Sequence, residues 1–164
     1  MGGMIVQEMV KKKQNKILKL VCYSTGAIGE MPGRFETVDQ SIANLKKNGL
    51  EVTAKNIAKT WFVKGADAKY FNICIEAGKL TSIKTVENAL IACKNWSGVD
   101  TFKNIKNETL IVWGDKDKSY NLEQIQTLEN NIENSKLIIF KNCAHNVHLE
   151  QPDQFNNTIK NFLF

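Results

Sequence analysis

Two apolar rhythms alternate along the chain. Met1, Met4, Ile5, Met9 and Val10 stand near helical spacing, and Lys11, Lys12 and Lys13 close the run, where the negative end of a helix dipole favours cations. Residues 16–25, KILKLVCYST, then compress Ile17, Leu18, Leu20, Val21, Cys22 and Tyr23 into a short apolar run. That is the pattern of a parallel strand covered on both faces. Residues 26–36, GAIGEMPGRFE, carry glycines and a proline and read as a loop.

From about 38 to 96 only helical periods recur. Val38, Ile42 and Leu45 mark one helix, and Val52, Ile57 and Trp61 a second. KYFNICIEA marks a third and VENALIACKNW a fourth. The strand pattern returns in NETLIVWGDKD (107–117), which stops at Gly114, and again in SKLIIFKN (135–142). Between them Leu122, Ile125, Leu128 and Ile132 lie on one helical face. After a loop, CAHNVHLEQ, Pro152 opens a last helix with Phe155, Ile159, Phe162 and Leu163 on one side. The expected fold class is therefore α/β, a mostly parallel sheet interrupted by a helical insertion. Three segments follow from it: a helix and strand at 1–25, the insertion at 26–100, and an α/β segment at 101–164.

Composition narrows the function classes. The chain has 164 residues, 43% of them apolar and 24% charged, enough for one domain with its own core. The formal charge of +5 comes from scattered lysines with no interleaved aromatic stripe, so nucleic acid is not an expected partner. Cys22, Cys74, Cys93 and Cys143 form no CxxC pair and read as reduced thiols in a cytoplasmic protein. No signal peptide and no membrane span are readable. Oligomeric state is not legible.

The candidate chemistry sits at two strand ends, where open parallel sheets carry their ligands and catalytic groups. LIVWGDKD ends with Asp115 and Asp117, and LIIFKNCAHNVH ends with His145 and His148. An acid after one strand and a histidine after the next is the order of the back half of a Ser…Asp…His triad. Each residue has an ordinary alternative: a loop Asp caps turns and helices, and a loop His packs or faces water. The two histidines have no third ligand at metal spacing, and neither a metal nor an organic cofactor is expected.

On these residues the chain resembles the C-terminal portion of the α/β-hydrolase fold family. TLIVWGDKD resembles the family's acid-bearing strand, which makes Asp117 rather than Asp115 the triad acid. NCAHNVHLEQPDQFNNTIKNFL resembles its histidine loop and closing helix, which makes His145 the triad histidine and His148, Glu150 and Pro152 the framework. TGAIGEMPGRFETVDQSIANLKKNGLE followed by AKTWF looks most like the branch containing enol-lactonases, and the helical insertion looks like a lid. Trp61, Phe62, Tyr70, Phe71 and Trp96 are candidate pocket residues, with burial in the lid's own core as the competing reading.

The resemblance also gives meaning to the opening MGGMI. The family's nucleophile elbow, G-x-S-x-G, continues in this branch as S-M-G-G-M-I. Met1 then stands just after the nucleophile and its position belongs to the oxyanion hole, while Gly2 and Gly3 permit close strand–helix approach. The serine itself is expected upstream, so the 164 residues read as a fragment that is inactive alone. Ser24 and Thr25 follow a strand but lack the elbow's flanking glycines, Ser119 reads as a loop residue or helix cap, and Cys143 reads first as a buried thiol. The resemblance implies a serine hydrolase acting on a small ester, thioester or lactone. The alternatives are a non-catalytic small-ligand-binding protein and a degenerate remnant.

Overall fold

A computed structural model describes residues 1–30 and 32–164. Met31, inside the segment read as a loop, lies outside the described residues. Three strands, β1 (Lys19–Tyr23), β2 (Glu108–Gly114) and β3 (Ser135–Phe140), form a parallel sheet with β2 in the centre. The register sets Val21 beside Leu110, and Leu110 beside Lys136. The helices are α1 (Gly2–Lys13), α2 (Val38–Thr60), α3 (Phe71–Lys79), α4 (Ile83–Lys94), α5 (Leu122–Asn131), the short α6 (Val147–Glu150) and α7 (Pro152–Leu163).

The sheet has a helical layer on each face. Met4 and Val10 of α1 join Ile125 and Leu128 of α5 against Leu20, Cys22, Ile111 and Trp113. On the other face Phe155, Ile159 and Phe162 of α7 pack against Leu110, Val112 and Phe140. β2 is therefore buried from Thr109 to Gly114, which is why its sequence is almost unbroken in apolar residues. β1 departs from the expected double coverage. Only Leu20 and Cys22 are buried, Lys19, Val21 and Tyr23 are half-buried, and Leu18 lies outside the strand at 91% exposure. The alternation follows from unequal covering: α1 closes one face, while α7 only partly shields the other.

The residues between β1 and β2 are helical, as their periodicity indicates. The first two expected helices form one element, α2, bent at Gly49, whose φ of 77° is open to glycine at little cost. A capping box starts it: the Gln40 amide donates to Thr37 Oγ1 at 3.2 Å and the Thr37 amide donates to Gln40 Oε1 at 2.8 Å. Ala58, Phe62, Phe71 and Ile75 form a small core of this segment, and Leu149 packs onto it from beyond β3. Its two ends meet: the Gly29 amide donates to the Trp96 carbonyl at 3.0 Å and the Gly98 amide to that of Ala27 at 2.9 Å. These elements lie next to the loops that follow β2 and β3.

Candidate active site

The loops after β2 and β3 are stitched together through their backbones. The Asp115 amide donates to the Phe140 carbonyl at 3.1 Å, and the Lys116 amide to that of Cys143 at 2.8 Å. A side chain at Gly114 would overlap the carbonyl oxygens of Cys143 and Ala144, so the contact between the loops requires glycine there.

This contact brings the two predicted side chains together. His145 Nδ1 lies 2.9 Å from Asp117 Oδ2. The other carboxylate oxygen of Asp117 accepts the amides of Ser119 at 2.7 Å and Tyr120 at 3.3 Å. The Asp117 side chain is fully buried and that of His145 is 24% exposed. An acceptor-only carboxylate places the shared hydrogen on Nδ1, which leaves Nε2 as the basic nitrogen. The imidazole lies against two aromatic rings, Trp61 at 5.8 Å and Tyr120 at 6.1 Å, both nearly parallel to it.

The neighbouring candidates have other partners. Asp115 accepts the Asn142 amide at 2.7 Å and lies near Lys116 and Lys141. His148 Nδ1 lies 2.8 Å from the Tyr23 hydroxyl. Tyr23 and Ser24 both donate to the His145 carbonyl, at 2.7 and 3.0 Å, so the Ser24 hydroxyl holds the loop. Cys143 is buried, and burial, then the carboxylates of Glu150 and Asp115, push its thiol up to about 11. It stays protonated and unreactive at neutral pH. Among the described residues no hydroxyl or thiol hydrogen-bonds to the His145 ring.

His145 opens onto a cavity of about 680 Å³, lined also by Met1, Trp61, Ser119 and Tyr120 and by apolar residues of α2, α3 and α4. Trp61 is the pocket candidate that reaches it. Phe62 and Tyr70 border a different cavity, Phe71 is buried in the helical core, and Trp96 borders a groove beside α1, with its indole N–H donating to Glu8 at 3.1 Å. Met1 lines the cavity at the start of α1, and its carbonyl accepts the amides of Met4 and Ile5. Of the two leading glycines, Gly3 makes the close approach: a side chain there would overlap Thr25, whereas Gly2 has open space. Sequence reasoning missed Tyr23 as a tether, and nothing in a single sequence marks a strand tyrosine as one. Among the described residues no three His, Cys, Asp or Glu converge as a metal site, and no helix is long and apolar enough to cross a membrane.

Solved structures share this architecture. An esterase from Exiguobacterium antarcticum superimposes with a TM-score of 0.89 at 19% identity, over 98% of this chain and 62% of its own. The enol-lactonase from Burkholderia xenovorans LB400 gives 0.88 at 17% identity, over 99% and 62%. A bromoperoxidase from Bacillus anthracis gives 0.89 at 18%, over 99% and 64%. At such identities the likeness is one of fold, and the chain spans less than two thirds of these structures. No curated protein sequence matches the chain. The sequence profile of the alpha/beta hydrolase fold matches residues 1–152, and the chain belongs to that family.

Proposed function

We propose that this chain is the C-terminal portion of a serine hydrolase that cleaves a carboxylic ester, thioester or lactone. The observation that carries the reading is the 2.9 Å pair of His145 with the buried Asp117 at the wall of an apolar cavity. Asp117 orients the imidazole and balances the charge it acquires. His145 Nε2 takes the nucleophile's proton and returns it to the leaving group. The nucleophile is a serine upstream of these 164 residues, and the backbone N–H of Met1, at the positive end of α1, helps hold the oxyanion. The helical segment acts as a lid, with Trp61 against the substrate. The named esterase and enol-lactonase among the similar structures agree with a small ester or lactone substrate. Four free cysteines agree with a cytoplasmic location.

The test is hydrolysis of p-nitrophenyl acetate by the 164-residue chain and by a chain extended through the upstream coding sequence, each beside its His145→Ala variant. Turnover that depends on His145 is expected only in the extended form. Such turnover in the short chain would place the nucleophile within it. None in either form would favour the non-catalytic binding reading or a non-ester substrate.

A further inference from the structure

We propose that the groove beside α1 is an acyl-chain subsite, and that the acid part of the substrate is an unbranched alkyl chain of medium length. The position of the carbonyl rests on the hydrolase reading, but the binding of the alkyl chain does not. The groove has a volume of about 350 Å³ and lies between α1 and the residues at the end of α4. It adjoins the cavity beside His145, because Met1, Met4 and Cys93 line both.

Beyond that junction α1 carries an apolar stripe with no partner. Met1, Ile5 and Met9 recur every four residues and are each about half exposed, whereas Met4 and Val10 of the same helix are buried against the sheet. Ala92 and Trp96 form the facing wall. That wall is held in place. The Gly29 amide donates to the Trp96 carbonyl at 3.0 Å, a side chain on Gly29 would overlap the Cys93 carbonyl, and the Trp96 indole N–H donates to Glu8 of α1 at 3.1 Å. Among the described residues that line the groove, the charged ones are Glu8 and Lys12, of opposite sign, so it favours a neutral occupant. Met1, Met4 and Met9 are three of the chain's four methionines. Their unbranched thioether side chains adapt to a flexible alkyl chain.

The junction is also where the hydrolase reading places the scissile carbonyl, because the Met1 N–H belongs to the oxyanion hole. The two sides of an ester held there have two spaces to enter. The larger, of about 680 Å³, is bordered by Trp61 and by α2, α3 and α4, and suits the alcohol part. The smaller runs along α1 and suits a linear chain. From Met1 to Met9 the helix rises about 12 Å, which an extended chain of roughly ten carbons covers.

The experiment follows tryptophan fluorescence in the 164-residue chain and in the extended chain, the latter carrying His145→Ala so that the ester is not consumed. Methyl 10-bromodecanoate, whose bromine quenches an indole at contact, should quench the unsubstituted chain, and Trp96→Phe should remove most of that quenching. Methyl 4-bromobutanoate, too short to reach along the groove, should quench both proteins equally. Calorimetry with methyl esters from butanoate to decanoate should show affinity rising about twofold per methylene, roughly half the full burial scale because the groove is open on one side. Ala92→Phe fills the groove from an exposed position and should lower the decanoate affinity about tenfold, leaving that of the butanoate unchanged. Circular dichroism confirms folding, and if Ala92→Phe is unfolded, Ile5→Lys on the opposite wall takes its place. Quenching that survives in Trp96→Phe, affinity independent of chain length, or decanoate binding indifferent to the folded groove variant overturns the proposal. Trp96 quenching that disappears in the extended chain would give the groove to the upstream segment, and overturns it as well. Chain-length-dependent binding without His145-dependent turnover in the extended chain would keep the subsite and remove the hydrolase reading. Turnover without chain-length dependence would do the reverse.

Discussion

The Glu150 carboxylate accepts the Ala144 amide at 2.6 Å, one residue before His145. Its second oxygen accepts the Val63 amide of the helical segment at 2.8 Å. One side chain thus ties the histidine loop to the residues beside Trp61, whose carbonyl also takes the Asn146 amide at 3.0 Å. Glu150→Ala leaves two backbone donors without their acceptor and should lower stability by about 1–3 kcal/mol. Urea unfolding reads this directly. An unchanged midpoint would mean that water satisfies both amides equally well.

Asp117→Asn should disturb the histidine more than the fold. An amide can present its NH2 to Nδ1 and so favour the tautomer with hydrogen on Nε2, the wrong nitrogen to act as base. Nitrogen-15 NMR of the imidazole should show Nδ1–H in the wild type and its loss in the variant. In a catalytically competent form of the protein, kcat should fall by about four orders of magnitude. A variant with its tautomer unchanged and near-normal turnover would remove Asp117 from the mechanism.

His148 should make stability depend on pH. The single Tyr23 proton goes to the His145 carbonyl, so the Tyr23 oxygen accepts from His148 Nδ1–H. Burial, and then the nearby His145, hold the His148 pKa below the usual value of 6.5. On acidification the unfolded chain therefore binds this proton first. Its contribution is fully present above about pH 6.5 and declines below that, until the folded form protonates as well. Unfolding at pH 7.5 and at a series of lower values should show a downward step that His148→Gln reduces. The same step in the variant would assign the effect to other groups.

Much of the fold was legible because its apolar rhythm is strong. TLIVW reads as a strand and becomes the central one, and the faces of α5 and α7 follow their spacing. The meeting of Asp117 with His145 was legible from strand-end logic together with the resemblance. What escaped acts through backbone atoms or tertiary distance. Tyr23 and Ser24 hold a carbonyl far along the chain, and Gly114 admits a loop that no local pattern announces. Trp61, Phe62 and Trp96 share an aromatic character in sequence, yet only Trp61 borders the cavity beside His145. A helical period says which face is covered, not by what.

The two leading glycines should respond oppositely to a methyl group. Both lie in the first turn of α1, and both are poor helix formers in the same local setting. At Gly2 a Cβ meets nothing within 4 Å, so Gly2→Ala should be neutral or stabilising, by at most about 1 kcal/mol. At Gly3 a Cβ would overlap the Thr25 side chain just beyond β1, where Thr25 is itself buried. Relief requires α1 to move away from the sheet, which opens the packing of Met4 and Val10. Gly3→Ala should therefore cost about 1–3 kcal/mol, as overpacking does. Gly3→Ala combined with Thr25→Ser, which removes the methyl part of the clash, should recover some of the loss. Thermal unfolding of the four proteins closes the comparison. If Gly3→Ala unfolds with the wild type, α1 does not sit against β1 as closely as the Thr25 contact requires. If Gly2→Ala is the more damaging change, the close approach lies at the first glycine instead.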